Sequence, residues 1–430
     1  MSGYKESADW QPSEPADALS RGPWWNIFHD DELSALEAKI SLSNQNVLAA
    51  AAAVDQARAL VDQARAGFWP SLAAVVGAQR GTTGALPVRT TVDATASVNW
   101  TVDIWGQIRR TVESDRASAQ ATDAALGAAS LSAQGDLATD YFELRAQDQL
   151  QRILDDIVVA EELSLKITQS RYKFGVAAKA DVVTAQTQLL NSQAQQINAG
   201  VQRGVLEHAI AVLIGEQPVN FSLAPTPMRT DVPTVPTDMP STLLQRRPDI
   251  AEAERKMAAA NAQIGVATAA YFPALTLSGS DQYQHNAFSN LLNVSNRIWA
   301  VGPQLAETIF DGGLRRAQVA QARAAYQANV ATYRQTVLSS LQQVEDELVT
   351  VRVLEKESVV EDAAVAASLE AEKLTLNQYK AGTVPYSSVI TAQTTRLSSE
   401  ESALKVLSTR LQASVALIEA LGGGWTATKL

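Results

Sequence analysis

The sequence predicts a membrane β-barrel shared between copies of the chain and carried on exceptionally long helices, built from two pseudo-repeats with four strands per protomer. Three observations predict it. A set of landmarks returns in the same order at nearly constant spacing. Arg171-Tyr172-Lys173-Phe174-Gly175 followed by Val182-Val183-Thr184-Ala185-Gln186-Thr187 comes back as Gln378-Tyr379-Lys380-Ala381-Gly382 followed by Val389-Ile390-Thr391-Ala392-Gln393-Thr394. Upstream, Gly67-Phe68-Trp69-Pro70 answers Ala270-Tyr271-Phe272-Pro273, and Gly106 with Arg109-Arg110 answers Gly312 with Arg315-Arg316. An ordered set of this kind marks duplication, which has to be recognised before any fold is assigned. The second observation is a run of about thirteen residues of strict period two. The third is a pair of stretches, Gly106 to Lys173 and Gly312 to Lys380, that contain no proline and keep helical register.

The first repeat opens with a helix over Asp31 to Ala66, where Leu36, Ile40, Val47, Val54 and Val61 recur at helical spacing before Gly67 and Pro70 end it. Strands are expected at 71–80 and 91–104. In the second, Val92, Ala94, Ala96, Val98, Trp100, Val102 and Ile104 alternate with Thr91, Asp93, Thr95, Ser97, Asn99, Thr101 and Asp103. A soluble half-buried sheet would alternate in the same way. The aromatics decide for a membrane. Phe68 and Trp69, Trp100 and Trp105, Tyr271 and Phe272, and Trp299 and Phe310 sit about the strand ends, as in the interface girdles of a barrel. Trp69, Trp100, Trp105, Phe272, Trp299 and Phe310 are therefore candidate interface residues.

Strands at 274–284 and 297–309 complete the set, with Pro303 expected to mark a bulge or strand end. Four strands cannot close a barrel, and hydrocarbon tolerates no open sheet edge. Closure must be shared; three copies would supply twelve strands, with the loops Gly81 to Gly84 and Asn286 to Asn296 at the outer rim.

Each strand pair leads into a long helix, 106–173 or 312–380, which at 1.5 Å per residue extends on the order of 100 Å and needs a coiled or bundled setting. Gly175 and Gly382 stand where a left-handed cap would end it, and return helices are expected at 181–214 and 387–421 with Asp181 and Ser387 as N-caps. Between the repeats, the proline-rich stretch 215–240 reads as a crossing segment. Pro248, Asp249 and Glu252 suit the first turn of the next helix. Gly422-Gly423-Gly424 follows a helix and has no Lys-Ser pair after it, so it reads as a C-terminal cap.

Composition removes whole classes of function. Hydrophobic residues make up 46% and charged ones 19%, with a net charge of -11. None of the 35 basic residues forms an extended run, which argues against nucleic acid as a partner. There are 0 cysteines, and the 3 histidines, His29, His208 and His285, lie far apart. Neither a disulfide framework, a zinc site nor a cofactor is expected. No apolar run is long enough for a membrane-crossing helix and no secretory segment opens the chain. Asp155-Asp156 and Glu161-Glu162 could suggest paired-carboxylate chemistry, but neighbours on a helix point apart and no histidine accompanies them, so a solvated face is expected and catalysis is not.

Arg246-Arg247-Pro248-Asp249-Ile250, the stretch Ala262-Gln263-Ile264-Gly265-Val266-Ala267 leading to Tyr271-Phe272-Pro273-Ala274-Leu275-Thr276-Leu277-Ser278-Gly279, Phe310-Asp311-Gly312-Gly313, and the twin tips resemble the outer membrane factor family of tripartite efflux systems. These are the TolC-like channels, and Trp24-Trp25 with Phe28-His29-Asp30-Asp31-Glu32-Leu33 is similar to their NodT-type lipoprotein branch. The resemblance covers essentially the whole chain. It implies a homotrimer, a membrane β-barrel continued by a long α-helical barrel through the periplasm, an N-terminal equatorial segment at 1–30 and a tail at 422–430. It also implies outer-membrane lipid around the barrel, a periplasmic membrane-fusion adaptor and an inner-membrane pump of the resistance-nodulation-division (RND) type. The cargo would be small toxic compounds such as drugs or metal ions. That branch carries a lipid anchor on an N-terminal cysteine, absent from this sequence; an anchor is expected natively. The outlet of a type I protein secretion system is the alternative within the family. A soluble coiled-coil scaffold leaves the aromatic-flanked strands unexplained, and an adaptor would show one hairpin beside a lipoyl-like domain.

By the same resemblance, the gate and adaptor-docking surface fall at the two tips, on Arg171, Tyr172, Gly175, Asp181 and Val182 and on Tyr379, Gly382, Ser388 and Thr391. Family members with acidic closure carry aspartates where this chain has Ser388 and Thr391, so the second tip is expected to close through hydroxyl, tyrosine or apolar contacts. Asp181 could face the lumen or serve only as a helix cap. The arginine pairs, Arg109 with Arg110 and Arg315 with Arg316, sit at the positive ends of helices, and are expected to meet lipid headgroups or a neighbouring carboxylate.

Overall fold

A computed structural model describes residues 23–82, 87–235 and 247–423. Most of the N-terminal segment, part of the Gly81 to Gly84 loop, Arg246 and the tail from Gly424 lie outside the described residues.

The chain divides into two units. One contains Ala51–Ala124 and Ile250–Thr336 and carries the strands. These are β1 (Ser71–Gly81), β2 (Arg89–Val102), β3 (Ala274–His285) and β4 (Arg297–Ala306), in one antiparallel sheet of order β1-β2-β3-β4. Directly opposed residues share a face. The register therefore puts Leu72, Val98 and Val301 on one side with Trp100, Leu277, Val102, Leu275 and Leu305. The other side carries Asp93, Thr95, Ser97, Asn99, Thr101, Thr276, Ser278, Ser280, Gln282 and Gln304. Leu72, Val301 and Leu305 are each exposed. A sheet with one apolar and one polar face, each largely uncovered although Val92 is buried, has a barrel's alternation without its closure. Among the described residues no helix is apolar and long enough to cross a membrane, whereas a strand needs only about ten residues.

Two strand expectations change. Pro303 sits opposite Leu277 in uninterrupted register, without a bulge. On an edge strand a missing N–H is tolerated. β4 ends at Ala306, short of the expected Ile309, because Glu307 to Phe310 turn toward the helix that follows.

The other unit holds the residues up to Ala50, Ala125–Asp249 and the chain from Val337. The helices are α1 (Asp31–Ser43), α2 (Gln45–Ala66), α3 (Gln107–Lys173), α4 (Lys179–Leu213), α5 (Pro248–Ala269), α6 (Leu314–Ala381) and α7 (Tyr386–Ala420). The single helix expected over Asp31 to Ala66 is two. Asn44 leaves the helical region and its Oδ1 accepts from the Asn46 and Val47 N–H groups, while its Nδ2 donates to the Leu213 carbonyl. The side chain that caps α2 thus also ties the break to α4. Gly127 and Gly135 do not interrupt α3, which continues through 67 residues.

The core of this unit joins Trp24 and Phe28 from a 3-10 turn with Leu33, Leu36 and Ile40 of α1. Leu137 and Phe142 of α3, Ile210 of α4 and Leu411 and Val415 of α7 complete it. Through it runs an ion network. Arg145, almost fully buried, donates to Asp148 at 2.8 Å, to the Ala224 carbonyl at 2.8 Å and to Glu32. Arg203 holds the other Asp148 oxygen at 2.7 Å and also donates to the Leu223 carbonyl. The start of the crossing segment is thereby fixed to α3 and α4.

Candidate functional site

Both tips end in the same way. Gly175 has φ 74 and Gly382 φ 81, a left-handed conformation that glycine adopts without steric cost. Val176 N–H returns to the Arg171 carbonyl and Thr383 N–H to the Gln378 carbonyl, closing paired helix-end motifs. The returning helices begin earlier than expected. Ala178 and Pro385 occupy the cap positions, neither with a side-chain cap, so Asp181 and Ser387 fall in the first turn. An acid there still complements the positive end of α4.

The two tips meet within one protomer. Arg171, near the end of α3, donates through one Nη to the carbonyls of Tyr379 and, at 3.0 Å, Lys380, and its guanidinium lies 4.6 Å from the centre of the Tyr379 ring. A cation at the C-terminal end of α6 meets both its orphan carbonyls and its negative pole. Tyr379 is buried and donates its hydroxyl to Thr168 Oγ1 at 3.2 Å. Its ring packs 5.3 Å from that of Tyr386, over a small apolar cluster with Ala185 and Val389.

The remaining expected tip residues divide by setting. Tyr172 is 46% exposed beside the exposed Phe174 and Val176. Asp181, Val182 and Ser388 are half-buried. Thr391 is exposed and donates to the Ser387 carbonyl of its own helix.

Behind the tips lies a polar layer that the sequence reading missed. Gln393 of α7 donates to Ser164 Oγ at 3.2 Å, and Gln188 of α4 donates to Glu161 at 3.0 Å. Glu161 is buried, contrary to the solvated face expected of Glu161-Glu162, because α4 packs over that side of α3. Burial, followed by the charge of Glu372, raises its carboxyl above the ordinary range against the opposing bonds from Gln188 and Ser192. Arg396 neutralises Glu372 at 3.0 Å. Burial also pushes the Tyr386 hydroxyl up to about 12, with Glu161 the next contributor. The spacing of Ser164 and Thr168, one helical turn apart opposite a tyrosine, was the available signal.

The strand-to-helix junctions in the other unit repeat one device. Asp103 accepts from the Ile108 and Arg109 N–H groups, and Asp311 from those of Gly313 and Arg315, so each acid caps a long helix. Arg109 and Arg315 each return a side chain to that acid, at 3.1 and 2.7 Å. The arginine that looked misplaced at a positive helix end neutralises the acid that caps it. Arg315 also lies over Tyr271. Arg110 pairs with Glu113 at 2.6 Å, and Arg316 is exposed. Among the aromatics, Trp105 stacks on Phe272 and donates to the Pro273 carbonyl, and Trp100 donates to the Phe68 carbonyl. Trp69, Trp299 and Phe310 are strongly exposed.

Comparison with known proteins gives a consistent picture. A family model described as outer membrane efflux protein matches residues 38–216 and 239–423. The chain is 30% identical to the pyoverdine export outer membrane protein OpmQ of Pseudomonas aeruginosa, over 99% of this chain and 92% of that protein. It is also 30% identical to nodulation protein T of Rhizobium leguminosarum bv. viciae, over 95% of this chain and 85% of that one. The solved outer-membrane channel OprN superposes with a TM-score of 0.87 at 28% identity, covering 98% of each chain.

Proposed function

This chain belongs to the outer membrane efflux protein family, and from that premise we propose that three copies close one twelve-stranded barrel and one gated helical conduit. The chain is a passive outer-membrane channel of the RND-associated kind, extends into the periplasm, exports small molecules and performs no chemistry. The observation that carries closure by three is the four-stranded sheet, whose β1 and β4 are bare edges while its apolar face is exposed. Bare edges have no hydrogen-bond partner in hydrocarbon; two copies would close eight strands around an interior that side chains fill, whereas three close twelve and leave a lumen for water. The polar face, rich in hydroxyl and amide groups, then lines water.

In this reading the paired tips form the periplasmic gate and the seat of a membrane-fusion adaptor that links the duct to an RND pump. Arg171 and Tyr379 hold the second hairpin to the first, and the exposed Tyr172, Phe174 and Val176 offer the adaptor an apolar contact. The junction aromatics and the free faces of Arg110 and Arg316 meet lipid at the barrel's inner rim. A native lipid anchor belongs to the same proposal. Cargo is a small molecule chosen upstream by the pump; the relative OpmQ is named for export of pyoverdine. Mass measurement in mild detergent tests the assembly: a trimer is expected, and a stable monomer or dimer would overturn it.

A further inference from the structure

Away from the tips, in the helical unit, a carboxyl group is buried with nothing to hold it. Glu37 of α1 is 1% exposed, and neither of its carboxylate oxygens has a hydrogen-bond partner. The charged group that faces it is a second acid, Glu419 of α7. Glu419 is seated in a notch of α3. A Cβ at Gly135 would lie 1.8 Å from Glu419 Oε1, so only glycine admits the carboxyl there. Around Glu419 stand Asp136 of α3 and Glu347 of α6, and one cation, Arg247. That guanidinium is already engaged by the Ala420 carbonyl, Asp249 and Gln343. Further along α3, Asp140 and Glu143 add only negative charge. Lys39, the cation nearest in sequence on α1, is occupied by Glu216 of the stretch after α4.

Two adjacent carboxylates withdrawn from water, with no free cation beside them among the described residues, cannot both stay ionised. A carboxyl that keeps its proton can donate as well as accept, which suits a group whose oxygens find no donor. Glu419 also lines a cavity of about 410 Å³ together with Arg247, Gln343 and Glu347, which gives it a route for proton exchange.

We propose that Glu37 and Glu419 form a proton-operated clasp that pins α1 and the C-terminal end of α7 against α3 at Gly135 when protonated and loosens when the proton leaves. The two titrate as one unit. Burial, reinforced by Glu419, pushes the Glu37 carboxyl up to about 9. Burial, then Asp136, pushes that of Glu419 up to about 7. The folded unit therefore retains protons that an unfolded chain has already released above its ordinary carboxyl range. The clasp is tight in acid, and it weakens as pH rises through about 7 toward about 9.

Hydrogen exchange of the full-length protein in detergent, corrected for the intrinsic pH dependence, tests this at α1 and the last turns of α7. Between about pH 6 and about pH 9 the wild type should lose about tenfold in protection there, with strand β2 of the other unit unchanged. Glu37→Gln, which supplies a donor without a charge, should reduce that loss, Glu419→Gln added to it should abolish it, and Gly135→Ala, which expels Glu419, should give the loosened state at every pH. Parallel loss in the wild type and Glu37→Gln would overturn the clasp. Should Glu37→Gln fail to assemble, infrared titration of the wild type decides: protonated carboxyl absorbance persisting above neutrality and vanishing toward about pH 10 supports it, and its absence above neutrality overturns it.

Discussion

Replacing Arg171 by methionine keeps the length and apolar contact of the side chain and removes only its charge and donors. Arg171 makes two hydrogen bonds to carbonyls at the end of α6 and a cation–π contact with Tyr379. A bond from a charged donor contributes about 1.5–3 kcal/mol, and the half-buried setting argues for the low end. With about 0.5 kcal/mol from the ring contact, roughly 3.5 kcal/mol holds the two tips together in each protomer. That corresponds to a shift of about three hundredfold in the balance between closed and open tips. Tyr379→Phe removes one neutral hydrogen bond, worth about 1 kcal/mol, and leaves Thr168 still bonded to the Ser164 carbonyl. Single-channel conductance in planar bilayers should therefore rise markedly for Arg171→Met and only slightly for Tyr379→Phe, with trimer yield unchanged. Wild-type conductance in Arg171→Met, or a larger effect from Tyr379→Phe, would refute the assignment of closure to the arginine.

Gly175→Val and Gly382→Val force a β-branched residue into a left-handed conformation at a cost of about 1–2 kcal/mol; pull-down of an adaptor should weaken while barrel insertion in liposomes is retained. Asp148→Ala strips the buried Arg145 and Arg203 of a shared partner, and with about 3–5 kcal/mol at stake the thermal midpoint should fall far more than for the exposed Asp62→Ala. Glu161 holds its proton more tightly folded than unfolded, so its ionisation destabilises the fold as pH rises above the ordinary carboxyl range. Glu161→Gln should raise the midpoint near neutrality and leave it unchanged in acid, as a pH series of melts would read. Replacing Arg109, Arg110, Arg315 and Arg316 together by glutamine uncovers two capping acids and removes the cations proposed to meet lipid. Membrane-inserted trimer should decline, by native electrophoresis of membrane extracts.

The fold was legible because its signals are periodic and repeated. Alternation in β2 reports a two-faced sheet directly, and an unbroken helical register over Gly106 to Lys173 leaves no other element type. Positions where a side chain acts on backbone were read less well. Asn44 lies within a helical pattern, and only its bond to the Leu213 carbonyl shows why the chain breaks there. The first turns of α4 and α7 were misplaced because Ala178 and Pro385 carry no capping side chain for a pattern to detect. At the tips, the residues named from resemblance are brought together only in part. Arg171 and Tyr379 touch, Tyr172 stays exposed, and the polar layer of Ser164, Thr168 and Gln393 depends on contacts between distant segments. Glu161 was misjudged for the same reason: an acid on a helix reads as solvated until the helix that covers it is known.

The duplication explains why the two tips do different work. Along the repeat, Arg171 stands where the second copy has Gln378, and Tyr172 where it has Tyr379. The same tyrosine is exposed in one tip and buried in the other. A reciprocal clamp would need an arginine in both copies, each reaching the other's carbonyls, and Gln378 carries no charge to place there. The link is therefore one-directional, with the first tip donating and the second accepting. Asp181 and Ser388 differ in the same sense, since the acid stays on the donating tip and its counterpart is a neutral hydroxyl. A gate held this way has its charged, replaceable contact on one hairpin, while Tyr379, Tyr386 and Val389 pack the other as a small core. Loss of the arginine should release the second hairpin as a packed body instead of unfolding it. Restoring charge at Gln378→Arg in an Arg171→Met background should not restore closure, because that arginine starts from the accepting side. Recovery of wild-type conductance in the double variant would show that the two tips are interchangeable and that this division of roles is wrong.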